Sequence, residues 1–190
     1  MRAWVLLILG LGPALTGLCA DDDQTKEVWI ESTKAAPSAR AKWSVEAEHY
    51  CSQAQVVNDP DARNGRALYA QQGVAREWYM TTATYSYQEL YGRYRFTFRV
   101  KTSDNTTTNP VIAIGIRMQD GVAKENVERV LRGTDFRQAN QYEDFTVEML
   151  RGDSGYPAYL MWYRGGADVW VDCITIERTG DVTDKDLAEL

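Results

Sequence analysis

Apolar and polar side chains alternate through most of the chain. "YRFTFRVK" (94–101) sets bulky apolar residues against basic or hydroxyl ones. "VIAIGIRM" (111–118) puts Ile112, Ile114, Ile116 and Met118 on one face. "EDFTVEML" (143–150) alternates again, and "YLMWY" (159–163) and "DVWVDCITIE" (168–177) are rich in aromatic and β-branched residues around the turn "RGGA". A period of two places alternate side chains on opposite faces of a strand. The turn-rich stretches "TSDNTTTNP" (102–110) and "RGDSGYP" (151–157) separate these runs. Strands at this spacing predict an all-β fold, an antiparallel β-sandwich or barrel. "VAKENVERVLRG" (122–133) has charge spacing that also suits a helix; among strands it is read as a hairpin plus a strand.

The ends read differently. Residues 1–20 hold one basic residue, Arg2, an apolar run and small residues up to Ala20. This is the pattern of a secretory signal peptide, and the run is too short to span a bilayer comfortably. A secreted, periplasmic or cell-surface location is expected, without membrane insertion. Leu18 before Cys19 disfavours a lipid anchor. Residues 21–42 read as a linker, 43–177 as the sandwich and 178–190 as a short acidic tail. The sandwich is long enough for one hydrophobic core.

Charge narrows the partners. The chain has 21 basic and 27 acidic residues, a formal net charge of −6. Loss of Arg2 with the leader leaves 20 against 27, or −7. An acidic chain lacks the basic face that phosphate binding needs, so nucleic acid is excluded. Nothing in the sequence sets the oligomeric state. Beyond the leader two cysteines remain, Cys51 and Cys173. In an exported chain they are free to form a disulfide, worth roughly 3–5 kcal/mol for so long a loop. Two separate buried thiols are the alternative.

Catalytic signatures are missing. The chain has one histidine, His49. It shows no HExxH, no CxxC pair and no phosphate-cradling glycine loop. "WSVEAEHYC" (43–51) instead sets Glu46 and Glu48 two residues apart, on one face if the strand continues through both. Adjacent carboxylates repel when buried, and a hard divalent cation such as calcium relieves that repulsion. Asp172 sits in an apolar strand and also needs a partner. If the first and last strands are neighbours, Glu46, Glu48 and Asp172 meet, and so do Cys51 and Cys173. A solvated edge is the alternative for the glutamates.

These segments, in this order, resemble the carbohydrate-binding modules of families 6 and 35. "WSVEAEHY" resembles their opening Glu-Ala-Glu strand and "ARNGRALYA" (62–70) the small-residue segment after it. "YRFTFRVK" and "YEDFTVEM" resemble central and late strands, and "VDCITIE" resembles the closing strand, with Cys173 replacing a tyrosine. The resemblance implies a jelly-roll, galactose-binding-like β-sandwich. It implies a structural Ca2+ held by Glu46, Glu48 and Asp172, with backbone carbonyls near Asn64 or Arg66. It also implies a non-catalytic protein that binds poly- or oligosaccharide.

The family commonly carries an asparagine where this chain has Trp170. Trp170 is therefore either core or a rearranged stacking platform. Trp78, Tyr79, Trp162 and Tyr163 lie at strand ends and loops and are candidate sugar platforms, with Arg164 and Asn140 as polar partners. The competing reading is a calcium-stabilised protein-interaction or adhesion domain on the same scaffold.

Overall fold

A computed structural model describes residues 42–49, 54–75, 92–119, 126–151 and 156–189. The leader, most of the linker, Cys51, Trp78 and Tyr79 lie outside these residues. Nine strands run in order: β1 (Lys42–Glu46), β2 (Gln55–Asn58), β3 (Arg66–Ala70), β4 (Gly92–Thr102), β5 (Pro110–Gln119), β6 (Val127–Arg132), β7 (Glu143–Arg151), β8 (Tyr156–Tyr163) and β9 (Val169–Gly180). One sheet has the order β2-β3-β9-β4-β7, with β1 also paired to β9; the other is β6-β5-β8. All pairings are antiparallel. The chain crosses between the sheets at β4–β5, β6–β7, β7–β8 and β8–β9, as a jelly-roll sandwich does.

The alternation drives the packing. Ile112, Ile114 and Ile116 of β5 are fully buried, facing Tyr94, Phe96, Phe98 and Val100 of β4 in one core cluster. Phe96 and Tyr159 touch across the two layers, with ring centroids 6.2 Å apart. Each such buried side chain contributes roughly 1.5–3 kcal/mol against exposure, before the cost of ordering it. The opposite face of β4 carries Arg93, Arg95, Thr97, Arg99 and Lys101. The outer face of the larger sheet is therefore polar.

The first and last strands are neighbours. β1 pairs with the second half of β9, from Glu46 opposite Cys173 to Lys42 opposite Glu177. β3 pairs with its first half, Val169–Val171. Asp172 falls in the gap where one partner ends and the other begins. On the other edge of β9, Phe98 faces Ile174 and Val100 faces Val171, so Arg99 alone opposes both Asp172 and Cys173. This is a β-bulge, which places one extra residue against its partner strand.

Two boundaries differ from expectation. β1 stops at Glu46, and Ala47–His49 is a 3-10 turn. Ala47 is drawn fully into the core, and the chain turns there. The glutamates therefore do not share a strand face; the turn brings Glu48 back to Glu46. At the other end, β9 runs on to Gly180 and residues Asp184–Glu189 form a short helix where a tail was expected. Asp186 pairs with Arg93 and ties this helix to the sheet.

Candidate functional site

The outer face of the larger sheet holds two adjoining features. The first is a seam of carboxylates at the bulge. Asp172 is fully buried. Both its oxygens accept the Arg63 backbone N–H at 3.1 Å, and Arg99 Nε lies 2.9 Å from Oδ2. Asn64 Nδ2 donates to Glu48 Oε1 at 2.6 Å, and Arg63 Nε stands 3.5 Å from Glu46 Oε1. Arg63 and Asn64 belong to the turn between β2 and β3. That turn closes with Asp59 N–H to Gly65 O at 2.9 Å and has Gly65 at φ +79°, a conformation glycine adopts without strain. The carboxylates thus clamp this turn across the face of the sheet.

Charge in the seam is uncompensated. Burial pushes the Asp172 carboxyl above its ordinary range, outweighing the Arg63 amide and Arg99. Burial also raises Glu46; Arg63 opposes the shift, while Glu48 and Asp172 add to it. Glu46 Oε2 and Glu48 Oε2 are buried without a hydrogen-bond partner among the described residues. Cys173 lies in the same place. It is buried in no disulfide among the described residues, and burial pushes its thiol up to about 12. Its expected partner, Cys51, lies outside them.

This sets the pH dependence. The raised carboxyls hold protons more readily in the folded chain than in the unfolded one. Their contribution is full below the ordinary values of 4.5 and 3.8, and is lost as pH rises through the raised native values. The protein in chelator is therefore expected to melt higher as pH drops from neutral to about 5. Glu46→Gln should raise the melting temperature at neutral pH. A melting temperature that only falls on acidification would contradict the seam's excess charge.

The second feature is an aromatic shelf beside the seam. Trp170 is half-buried, lies outside the core cluster and faces outward. Its ring stacks at a 30° tilt on Tyr69, centroids 4.9 Å apart. Tyr69 OH donates to Asp168 Oδ2 at 3.1 Å, and Asp168 Oδ1 accepts the Gln72 N–H at 2.7 Å. Lys101 Nζ lies between two rings, 4.9 Å from the Trp170 centroid and 4.7 Å from Tyr142. Its counter-ion is Asp59, which also accepts Tyr142 OH at 2.9 Å. Burial works against the Asp59 charge, but hydrogen bonds from Lys101, the Asp61 amide and Tyr142 outweigh it and hold the carboxyl below its ordinary range. Between shelf and seam opens a pocket of about 290 Å³, lined by Arg63, Thr97, Arg99, Asp144, Cys173 and Thr175.

The sequence-derived residues separate. Glu46, Glu48 and Asp172 come together, with Arg66 at the start of β3 donating its N–H to Asn64 Oδ1 at 3.0 Å. Trp170 is on the shelf. Trp162 is on the outer face of the other sheet, with Arg164 stacked 3.7 Å above its ring and paired to Glu128 at 3.3 Å. Tyr163 is a correction. It is 2% exposed, and its OH donates to Ala167 O at 3.0 Å, so it is a core residue and cannot meet a ligand. Its neighbour Trp162 has the opposite parity and faces out. Asn140 is exposed in a turn with φ 59°, and its N–H donates to Thr102 O at 2.8 Å. It shapes the loop beside Tyr142. Tyr69, Tyr142, Lys101 and Asp59 escaped the sequence reading. The alternation of β4 already put Lys101 on the outer face with Arg99, but nothing local tied it to Trp170.

No family model matches this chain, and neither does any curated protein. Solved structures with a similar fold do exist. A family 16 carbohydrate-binding module has a TM-score of 0.47 at 15% identity, covering 67% of this chain and 85% of that one. The C-terminal CBM6 of LamC, a marine laminarinase from Zobellia galactanivorans, has 0.46 at 14%, covering 72% and 99%. TmCBM61, solved with β-1,4-galactotriose, has 0.47 at 12%, covering 78% and 93%. These three are carbohydrate-binding modules. The likeness is one of strand arrangement. The functional reading rests on this chain's own side chains.

Proposed function

We propose that this protein is a non-catalytic carbohydrate-binding domain whose ligand stacks on the aromatic shelf. The observation that carries this is the outward-facing Tyr69–Trp170 pair, held on a rigid sheet beside Asp168 and Gln72. A pyranose offers an apolar face to an aromatic ring and hydroxyls to the polar groups around it. Binding sites of this kind combine an apolar surface with a few fixed polar groups. A protein partner needs a broad apolar patch. Among the described residues the exposed large hydrophobics are Val56, Val74 and Val130, on separate elements. The test is a glycan array with the secreted chain. Retention on plant, algal or microbial polysaccharides is expected; silence across the array would sink the reading.

We further propose that Glu46, Glu48 and Asp172 hold a calcium ion. No three acidic, histidine or cysteine side chains among the described residues are gathered as a ready coordination shell. The donor set nonetheless suits the ion: three carboxylates against two arginines, with two buried oxygens lacking partners. Calcium would supply the missing positive charge and fix the β2–β3 turn. Its role is structural, so no chemistry passes through it. Calcium titration should raise the melting temperature, as binding to the folded state does. In saturating calcium the gain from acidification should vanish. No helix among the described residues is long and apolar enough to cross a membrane. The leader pattern supports export.

A further inference from the structure

The shelf is longer than the Tyr69–Trp170 pair. Tyr69 stands opposite Trp170 in the β3–β9 ladder. Trp170 stands opposite Lys101 in the β9–β4 ladder. Val100 pairs with Glu143, so Tyr142 comes beside Lys101 at the start of β7. Four side chains from adjoining strands thus fall into one row running across the sheet. At about 4.8 Å per strand the row is roughly 14 Å long. That is the length of a short run of linked pyranoses, well beyond a single ring.

Within the row, Lys101 is 7% exposed and its ammonium is taken by Asp59. It therefore spaces the rings of Trp170 and Tyr142 without presenting its charge to solvent. Arg99 lies over Tyr142 at 5.1 Å and donates to Asp61 O at 3.3 Å, fixing that end. Its side chain is 40% exposed. Asp168 and Gln72 mark the Tyr69 end. The row has stacking surfaces on both sides of a filled centre, an acid at one end and a guanidinium at the other. No wall at either end has been found that would select a chain terminus.

Resting on the carbohydrate reading above, we infer that the site takes an internal segment of a linear polysaccharide, laid across the strands from Tyr69 to Tyr142. Tyr142 forms a second stacking position, separate from Trp170. A single sugar fills one position only and binds weakly. A trisaccharide reaches both.

The experiment is a calorimetric series on the full chain. The probes are β-1,4- and β-1,3-linked gluco-, xylo- and galacto-oligosaccharides of one to six units. In the linkage series that binds, affinity should rise roughly tenfold or more from monosaccharide to trisaccharide and then level off. Reducing the terminal aldehyde of the hexasaccharide should leave its affinity unchanged. Tyr142→Leu should weaken trisaccharide binding roughly tenfold while moving monosaccharide binding less than about twofold. Tyr142→Phe keeps the ring, loses only the bond to Asp59, and should stay within about twofold of the unaltered chain at every length. A monosaccharide that binds as tightly as the trisaccharide overturns the row and leaves the Trp170 reading standing. So does a trisaccharide indifferent to Tyr142→Leu. If no member of the panel binds, the carbohydrate reading itself fails, and this inference fails with it.

Discussion

Replacing Asp172 with alanine is expected to cost about 3 kcal/mol of stability, the lower end for breaking a buried ion pair. Asp172 is fully buried and anchors two groups at once, the Arg63 backbone N–H and the Arg99 guanidinium. Alanine leaves the amide without an acceptor under the turn. It leaves Arg99 with half of its environment gone. The low end applies because the Arg99 side chain is 40% exposed and water can take over part of its charge. In a domain of this size the change corresponds to a melting shift of roughly 10 °C. Urea unfolding at constant m-value measures it. Asp172→Asn keeps one acceptor oxygen and should lose less. In the double variant Asp172→Ala with Arg99→Ala, the costs should be less than additive, since each removes the other's partner. A loss below about 1 kcal/mol for Asp172→Ala would mean that the seam does not hold the turn. The same variant should abolish the calcium-dependent rise in melting temperature.

Trp170→Ala is expected to have the opposite signature. The side chain faces outward and is only half-buried, so stability should fall little. Affinity for the bound glycan should fall by about 2 kcal/mol or more, roughly thirtyfold in Kd. Tyr163→Ala supplies the contrast. It removes a core ring and should cost about 3–5 kcal/mol in stability, while the folded fraction binds glycan with unchanged affinity. Unfolding curves and calorimetry on the two variants separate packing from recognition. Equal effects of both variants on stability and affinity would place Trp170 in the core and remove the platform.

Much of the architecture was legible along the chain. The run Ile112, Ile114, Ile116 declared a strand and its buried face, and the alternation of β4 declared a polar outer face. Glu46, Glu48 and Asp172 stood out because carboxylates are costly in apolar strands. Periodicity could not show where β1 stops, because burial of Ala47 ends that strand against its own pattern. Nor could it show the bulge. Strict alternation would point Asp172 and Cys173 to opposite faces, whereas the extra residue opposite Arg99 seats both at the outer seam. The aromatic candidates failed for a related reason. Trp162, Tyr163 and Trp170 look alike in a list of strand-end aromatics, yet one faces out from the small sheet, one is core and one faces out from the large sheet.

The sequence by itself determined the strands, the buried side of most of them and the kinds of charge the fold has to accommodate. These are local properties, set by the two-residue period and by the cost of burying polar groups. Tertiary structure decided which strands lie side by side. β9 pairs with β1, β3 and β4, and those partners are distant along the chain. That adjacency sets Arg63 and Arg99 against Asp172, and Tyr69 and Lys101 against Trp170. A site assembled across neighbouring strands exists only once those long-range pairings have formed.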